Sequence, residues 1–379
     1  MMKRTVLVIG GGQLARMMAQ VAPSLGLQLR VLAASTDTSV LGVTEVVVGD
    51  YRNVNDVLAA ATGVDVVTFD HEHVPRDVLM ALAEAGYAMR PSIEALALVQ
   101  DKLYLREQLA SWGVPQPKWH GGKCEVGPLV AEFLRSGAVW PLVVKRSVGG
   151  YDGKGVWVLE REQDLSELAG VESPGWVIEE FCEFSRELSA QVALSPHGQG
   201  LAYQVVQTTQ VDGICRHVLA PAPDLAEATV IEAQRLAMQI ATAAQVTGML
   251  AVELFLMPDG RLLVNELAMR PHNSGHWTID GAITSQFENH LRAVTDLPLG
   301  SVKPLWPYTA MVNVLGVSEP APDVLDHVLA HDPGVRVHIY GKDFRPGRKL
   351  GHVNVGDSDA SRALSRAQHA ADRLSGTMR

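Results

Sequence analysis

The chain has 379 residues, 47 % of them hydrophobic, with 32 Lys and Arg against 42 Asp and Glu, and a formal net charge of −10. At roughly 100–200 residues per domain, that length implies two or three domains and a core that needs no disulfide or metal staple. The acidic balance excludes a general nucleic-acid binder but leaves room for a local basic pocket. The scattered cysteines Cys124, Cys182 and Cys215 form no C-x-x-C pair and suit a reducing, cytoplasmic setting.

Residues 5–9 read as a first strand, because the apolar run behind Lys3 and Arg4 is too short for a signal peptide and meets Gly10-Gly11-Gly12. No run is long enough for a membrane helix, and Glu253 interrupts the most apolar region. A helical pattern at 13–22 and strand-like runs at 28–33 and 64–69 follow, which predicts a parallel sheet with crossover helices. The turn Gly10-Gly11-Gly12-Gln13-Leu14-Ala15 fits G-x-G-x-x-[GA], where backbone N–H groups approach an anion. A dinucleotide site wants an acidic residue closing the second strand, but that strand ends Leu32-Ala33-Ala34-Ser35 and Asp37 comes late. A tight turn, facing another phosphate, is the better reading. His71-Glu72-His73 is an incomplete metal triplet and reads as a polar strand-end pocket.

Residues 101–112 form a helix with Leu105, Leu109 and Trp112 on one face, and Gly113 to Pro117 stops it. A mixed α+β unit follows, with a long helix over 230–246 and a second boundary near residue 300. The expected units are 1–112, 113–300 and a small third unit, 301–379, ending in a helix over 360–374.

Lys145 lies on a strand before a loop holding Gly149, Gly150, Tyr151, Asp152, Gly153, Lys154 and Gly155, and a second strand follows. The context and spacing are wrong for a Walker A loop, which runs into a helix. Such a hairpin can fold over phosphates as a mobile lid with Lys145 as a fixed counter-charge; an ordinary Gly-rich hairpin is the plain alternative. Downstream, a strand runs into Glu179, Glu180, Glu183 and Glu187, a cluster able to accept hydrogen bonds from adenine and ribose, or a solvated strand end.

Two apolar strands flank the turn Pro258-Asp259-Gly260, and counting back sets Glu253 opposite Asn265 or Glu266. Carboxylates in so apolar a setting need a cation, and oxygen donors suit Mg²⁺; otherwise both acids face solvent. His272 and His276 have a zinc-helix spacing, but Pro271 and Gly275 argue against a helix. Arg270, His272, Asn273 and Ser274 better suit an anionic, hydrogen-bonding substrate. Lys342, Arg345, Arg348 and Lys349 surround a single Asp343, a turn that grips a phosphate or is merely solvated.

Together these pieces resemble the ATP-grasp superfamily, and within it the bicarbonate-using branch of purine biosynthesis. The matching runs are residues 10–17, 149–155, 265–268, 270–278, 285–288 and 345–349. The 272–278 run and the basic turn are specific to the branch, whereas the metal hairpin is shared across the superfamily. Asp70 stands where the family usually has Glu, leaving Glu72 the substrate role, and Met269 replaces a usual Pro. The resemblance implies an α/β and α+β ATP-grasp fold with an N-terminal Rossmann-like pre-ATP-grasp domain, a lid at about 117–178 and a small C-terminal domain.

It also implies an ATP-dependent carbon–nitrogen ligase that carboxylates 5-aminoimidazole ribonucleotide with bicarbonate through carboxyphosphate. ATP and Mg²⁺ are the implied cofactors. A cytoplasmic homodimer without nucleic-acid or membrane partners is the implied state. ATP would lie on Lys102, Lys145, the loop from Gly149 through Tyr151, Asp152, Gly153 and Lys154 to Gly155, and on Glu179, Glu180, Phe181, Cys182, Glu187, Gln210, Asn265 and Glu266. Glu253 and Glu266 would hold Mg²⁺. Bicarbonate and the ribonucleotide would meet Glu72, Tyr151, Asp152, Lys154, Arg270, His272, Asn273, Lys342, Arg345, Arg348 and Lys349. Asp152 and Lys154 are expected in the catalytic set with Arg270, which would orient bicarbonate, and Lys349, which would meet the ribonucleotide phosphate. The rivals are a formate-dependent or other carboxylate–amine ligase, an NAD-dependent oxidoreductase resting on the N-terminal turn alone, and a silent nucleotide-binding protein. The last could lose Glu253 or Glu266, and this chain keeps both.

Overall fold

The computed structural model describes residues 4–150, 154–211, 213–319 and 321–377. The chain opens with a parallel sheet in the order Glu45–Val48, Gln28–Ala33, Thr5–Ile9, Val66–Phe69. Its central strand is apolar and buried from Val6 to Ile9 because both faces are covered. Val6 and Val8 pack towards the helix Gln13–Val21, and Leu7 and Ile9 towards the helices Val54–Ala61 and Arg76–Glu84. The strand Glu45–Val48 escaped the sequence reading because it is an edge with no fully buried residue, so its apolar residues show no alternation.

Two capped helices lead out of this unit. Ser92 caps Ile93–Gln100, its Oγ accepting from Ala95 N at 3.2 Å, and Asp101 caps Lys102–Ser111, its Oδ1 accepting from Leu103 N at 2.9 Å. A small antiparallel sheet follows, ordered Trp119–Gly122, Trp176–Glu180, Leu142–Arg146, Val156–Leu159, with Leu129, Val130 and Phe133 of the helix Val126–Arg135 closing one face.

The remaining strands form one nine-stranded sheet, which runs from the edge strand Leu262–Ala268 through Gly248–Leu256 and Arg186–Leu194 to Ile214–Ala220. It does not end there. Tyr308–Leu315 pairs with Ile214–Ala220, and Lys349–Asp357 and Arg336–Ile339 continue the same sheet. The helix Ala360–Leu374 has the expected bounds, and Asp359 caps it by accepting from Arg362 N at 2.8 Å. The long helix spans Glu227–Ala243 rather than 230–246; Gln245 turns left-handed at φ +50° and ends the helical run. Between these layers the helix Gln286–Val294 buries Phe287, Leu291 and Val294, spaced i, i+4 and i+7, against the N-terminal sheet. That apolar stripe joins the first unit to the large sheet.

Candidate active site

The two antiparallel sheets face each other across a cleft of about 750 Å³, which the loop after Val66–Phe69 and the strand end at Lys349 also line. The end lined by Lys102 and Lys145 is built on an irregularity. In the hairpin, Val252 pairs with Leu267 but Leu254 pairs with Val264, so Asn265 and Glu266 stand together opposite Glu253. Counting back along the sequence left the partner open between these two, and the structure supplies both. Neighbours on a regular strand point to opposite faces. The β-bulge re-aims them, and Glu253, Asn265 and Glu266 all line the cleft.

Lys102, the first residue of its helix, donates from Nζ to Glu266 Oε1 at 2.5 Å, and Lys145 Nζ donates to Asn265 Oδ1 at 3.3 Å. Removal from water works against the Glu266 charge, but Lys102 and then Lys145 outweigh it and hold the carboxyl at about 2. Glu253 Oε1 lies 3.8 Å from His272 Nε2. Burial first, then Arg270 and Lys349, lower the His272 imidazole to about 3, so it meets Glu253 as a neutral ring. Burial also pushes the neighbouring Cys215 thiol up to about 12, which removes a thiolate from the local donors. Two carboxylates and a carboxamide oxygen are left, a set that fits a hard divalent cation.

Lys145 is buried, and its Nζ pairs with Glu179 Oε2 at 2.9 Å. Arg106 takes the other oxygen at 2.7 Å. Burial alone would raise the Glu179 pKa; Arg106 and Lys145 together reverse that and keep it ionised. Glu179 therefore lines the cleft with both oxygens already engaged. Arg106 was missed in the sequence, where its only signal is a charge between Leu105 and Leu109 on the apolar face of a helix. Phe184 and Phe255, stacked with centroids 4.5 Å apart, also line this end and were not anticipated. Glu180, Phe181, Cys182, Glu187 and Gln210 line it as well. Gly149 and Gly150 do so too, while Lys154 is exposed and Gly155 turns at φ +74°. Tyr151, Asp152 and Gly153 lie outside the described residues.

At the other end Arg270 Nε donates to Glu72 Oε2 at 2.8 Å, joining residues 198 apart in sequence. Gln100 fixes the loop carrying Glu72 by donating to Glu72 O and Val74 O, both at 2.8 Å. His71 beside it is held neutral, lowered to about 4 mainly by burial. The loop after Arg270 makes a single 3₁₀ turn, Asn273–Gly275. His272 and Asn273 line the cleft, while His276 is buried away from it beside Phe287 and His352. Gln286, fully buried, accepts from His272 N and donates to His272 O, both at 2.8 Å.

The basic turn is divided. Lys349 lines the cleft; Lys342 donates to Gln13 Oε1 beside the N-terminal glycine turn, and Arg345 and Arg348 do not line the cleft. Burial, with Arg348 and Lys349 nearby, lowers Lys342 to about 8, against the pull of Asp70. At the glycine turn Asp70 accepts from Gly12 N at 2.7 Å and Ala15 N at 2.9 Å, so the chain's own carboxylate takes two of the N–H groups at the helix N-terminus. A side chain at Gly12 would collide with that carboxylate at 2.3 Å.

Two sheets closing on a lysine- and carboxylate-lined cleft, behind a Rossmann-like domain, define an ATP-grasp protein. Family models agree along the chain: the ATP-grasp domain matches residues 128–287, the ribonucleotide synthetase preATP-grasp domain residues 2–100, and the phosphoribosylaminoimidazole carboxylase C-terminal domain residues 309–366. The chain belongs to the N5-carboxyaminoimidazole ribonucleotide synthase family, being 49 % identical over 378 residues to the enzyme of that name from Mycobacterium tuberculosis, which covers 98 % of this chain and 87 % of that protein. The crystal structure of the Thermus thermophilus synthetase superposes with a TM-score of 0.87 at 36 % identity, covering 97 % of this chain and 98 % of that one. The Aspergillus clavatus synthase in complex with ADP and 5-aminoimidazole ribonucleotide superposes with a TM-score of 0.88 at 31 % identity, covering 98 % of both chains.

Proposed function

We propose that this cleft carboxylates 5-aminoimidazole ribonucleotide with bicarbonate at the expense of ATP, giving N5-carboxyaminoimidazole ribonucleotide, ADP and phosphate. The observation that carries the reading is the union, in one cleft, of a lysine and oxygen-donor end with an Arg270–Glu72 end. ATP enters with its base against Phe184 and Phe255 and its polar edge towards residues 180–182. Glu187 serves the ribose. Lys102 and Lys145 lie along the phosphates, with Glu179 steadying Lys145 rather than contacting the nucleotide. Glu253, Glu266 and Asn265 would hold Mg²⁺, which when bound neutralises charge on the terminal phosphates.

Bicarbonate is a poor electrophile. Its oxygen attacks the γ-phosphorus, the bond to the β-phosphate oxygen breaks, and ADP leaves with carboxyphosphate formed. Arg270, steadied by Glu72, orients bicarbonate for this attack. The amine nitrogen of the ribonucleotide then bonds to the carboxyl carbon of carboxyphosphate, or of CO₂ released from it. Phosphate departs and the amine loses a proton. His272 and Asn273 hold the ribonucleotide, with Lys349 and the rest of the basic turn on its phosphate. Tyr151, Asp152 and Lys154 meet the substrates, and closure of the lid keeps water from the intermediate.

The reading includes a cytoplasmic homodimer with units 1–112, 113–300 and 301–379. Among the described residues no helix is long and apolar enough to cross a membrane. Sedimentation at twice the 40.9 kDa chain mass supports the dimer, and the single-chain mass overturns it. The activity is tested by ADP release: it should require both aminoimidazole ribonucleotide and bicarbonate. No release with both present, or faster release with formate, defeats the assignment.

A further inference from the structure

We infer that Arg106 is the positioning residue of the nucleotide end: its guanidinium holds the bulge that turns Asn265 and Glu266 into the cleft, and through Glu179 it fixes Lys145. The inference rests on the nucleotide-site half of the proposed function. Arg106 follows Lys102 by one helical turn, and its side chain is 2 % exposed. Nη1 donates to Val264 O at 2.9 Å and Nη2 to Asn265 O at 2.9 Å, while Nε donates to Glu179 Oε1 at 2.8 Å. Consecutive carbonyls of a regular strand alternate in direction across the sheet. Here two in succession reach one planar group, which requires the bulge. Leu262–Ala268 is the edge of its sheet, so no further strand is available to receive them. A fork of fixed N–H directions spans both carbonyls, which the point charge of a lysine does not.

The same group settles the charge. Glu179 is shared between Arg106 and Lys145, so this buried cluster keeps one net positive charge, with Lys145 Nζ beside Asn265. Arg106 thus links three elements that carry the site: the helix of Lys102, the strand of Glu179 and the bulged strand of Asn265 and Glu266. It lines none of the cleft itself.

The test separates fork from charge. In Arg106→Lys the charge opposite Glu179 persists and the fork is lost. Binding of Mn²⁺ in the presence of ADP, read by electron paramagnetic resonance, should weaken about 10- to 100-fold, as is typical for groups supporting a metal ligand. Metal-free ADP binding by calorimetry should change by less than about threefold, because Lys102 and Lys145 stay in place. Mn²⁺ affinity within about twofold of wild type, or an equal loss of metal-free ADP binding, overturns the inference. If Arg106→Lys does not fold, Arg106→Met in a Glu179→Gln background removes the charges as a pair. Compared with Glu179→Gln alone it should show the same selective loss of Mn²⁺; equal Mn²⁺ affinity, or failure of the double variant to fold as well, assigns Arg106 to folding and overturns the inference. Neither measurement uses bicarbonate or the ribonucleotide, so failure here is distinct from failure of the ADP-release assay.

Discussion

Gly275→Ala probes how tightly the substrate loop is held. A Cβ at this position would stand 2.4 Å from Gln286 Oε1 and 2.5 Å from Gln191 Nε2. Both contacts are with ends of flexible side chains, which on a surface would swing aside at little cost. Here they have nowhere to go: Gln286 is 0 % and Gln191 1 % exposed, and Gln286 is held at both ends by the His272 backbone at 2.8 Å. Moving it leaves a buried N–H and a buried carbonyl without partners, about 1–3 kcal/mol each, with overpacking of about 1–3 kcal/mol as the alternative if it stays. A loss of about 2–4 kcal/mol in urea unfolding is therefore expected. Because the strain falls on His272 and its neighbours, KM for aminoimidazole ribonucleotide should rise while KM for ATP holds. A variant within about 0.5 kcal/mol of wild type with an unchanged ribonucleotide KM would show that the two glutamines yield freely, and the clamp would be refuted.

Glu266→Ala should abolish turnover through the metal site, and near-normal ADP release from a folded variant would remove Glu266 from that role. The half-buried Lys342, lowered to about 8, is charged below that pH and neutral above it. If it grips the ribonucleotide phosphate, kcat/KM for the ribonucleotide falls as pH rises through about 8, and Lys342→Arg, whose charge persists, flattens the fall; an identical profile in both excludes Lys342. His290, lowered by burial to about 3, lies 2.8 Å from Thr68 Oγ1 and ties the N-terminal sheet to the large one. Its ordinary value is 6.5, so between 6.5 and about 3 the unfolded chain binds the proton and the folded one does not. Stability is fully present above pH 6.5 and is lost as pH falls, by about 2 kcal/mol at pH 5 from this group. His290→Gln should reduce the slope of urea midpoint against pH, and an unaltered slope would show that other groups set it.

What could be read from the residues is what is local. The strand Thr5–Ile9, the helix Ala360–Leu374 and the hairpin around Asp259 are written in periodicity and turn chemistry within a dozen residues. What could not be read is pairing. Lys102 meets Glu266 across 164 residues, Arg270 meets Glu72 across 198, and Arg106 meets Val264 across 158. A sequence displays each charge without its partner, so Arg106 was passed over on its helix, and Asp70 did not look like the anion its glycine turn holds. The register of Glu253 was ambiguous by one residue for a related reason: a bulge is set by what lies across and beyond the strand, here the fork of Arg106, and not by the strand itself. The same long separations make the cleft a property of the docked whole. Lys349 reaches it only because the last strands continue the large sheet, and Glu72 reaches it only because Phe287, Leu291 and Val294 seat that sheet's neighbouring helix on the N-terminal one. Each unit supplies charges that are unpaired or unaimed alone, and assembly of the three turns them into one site.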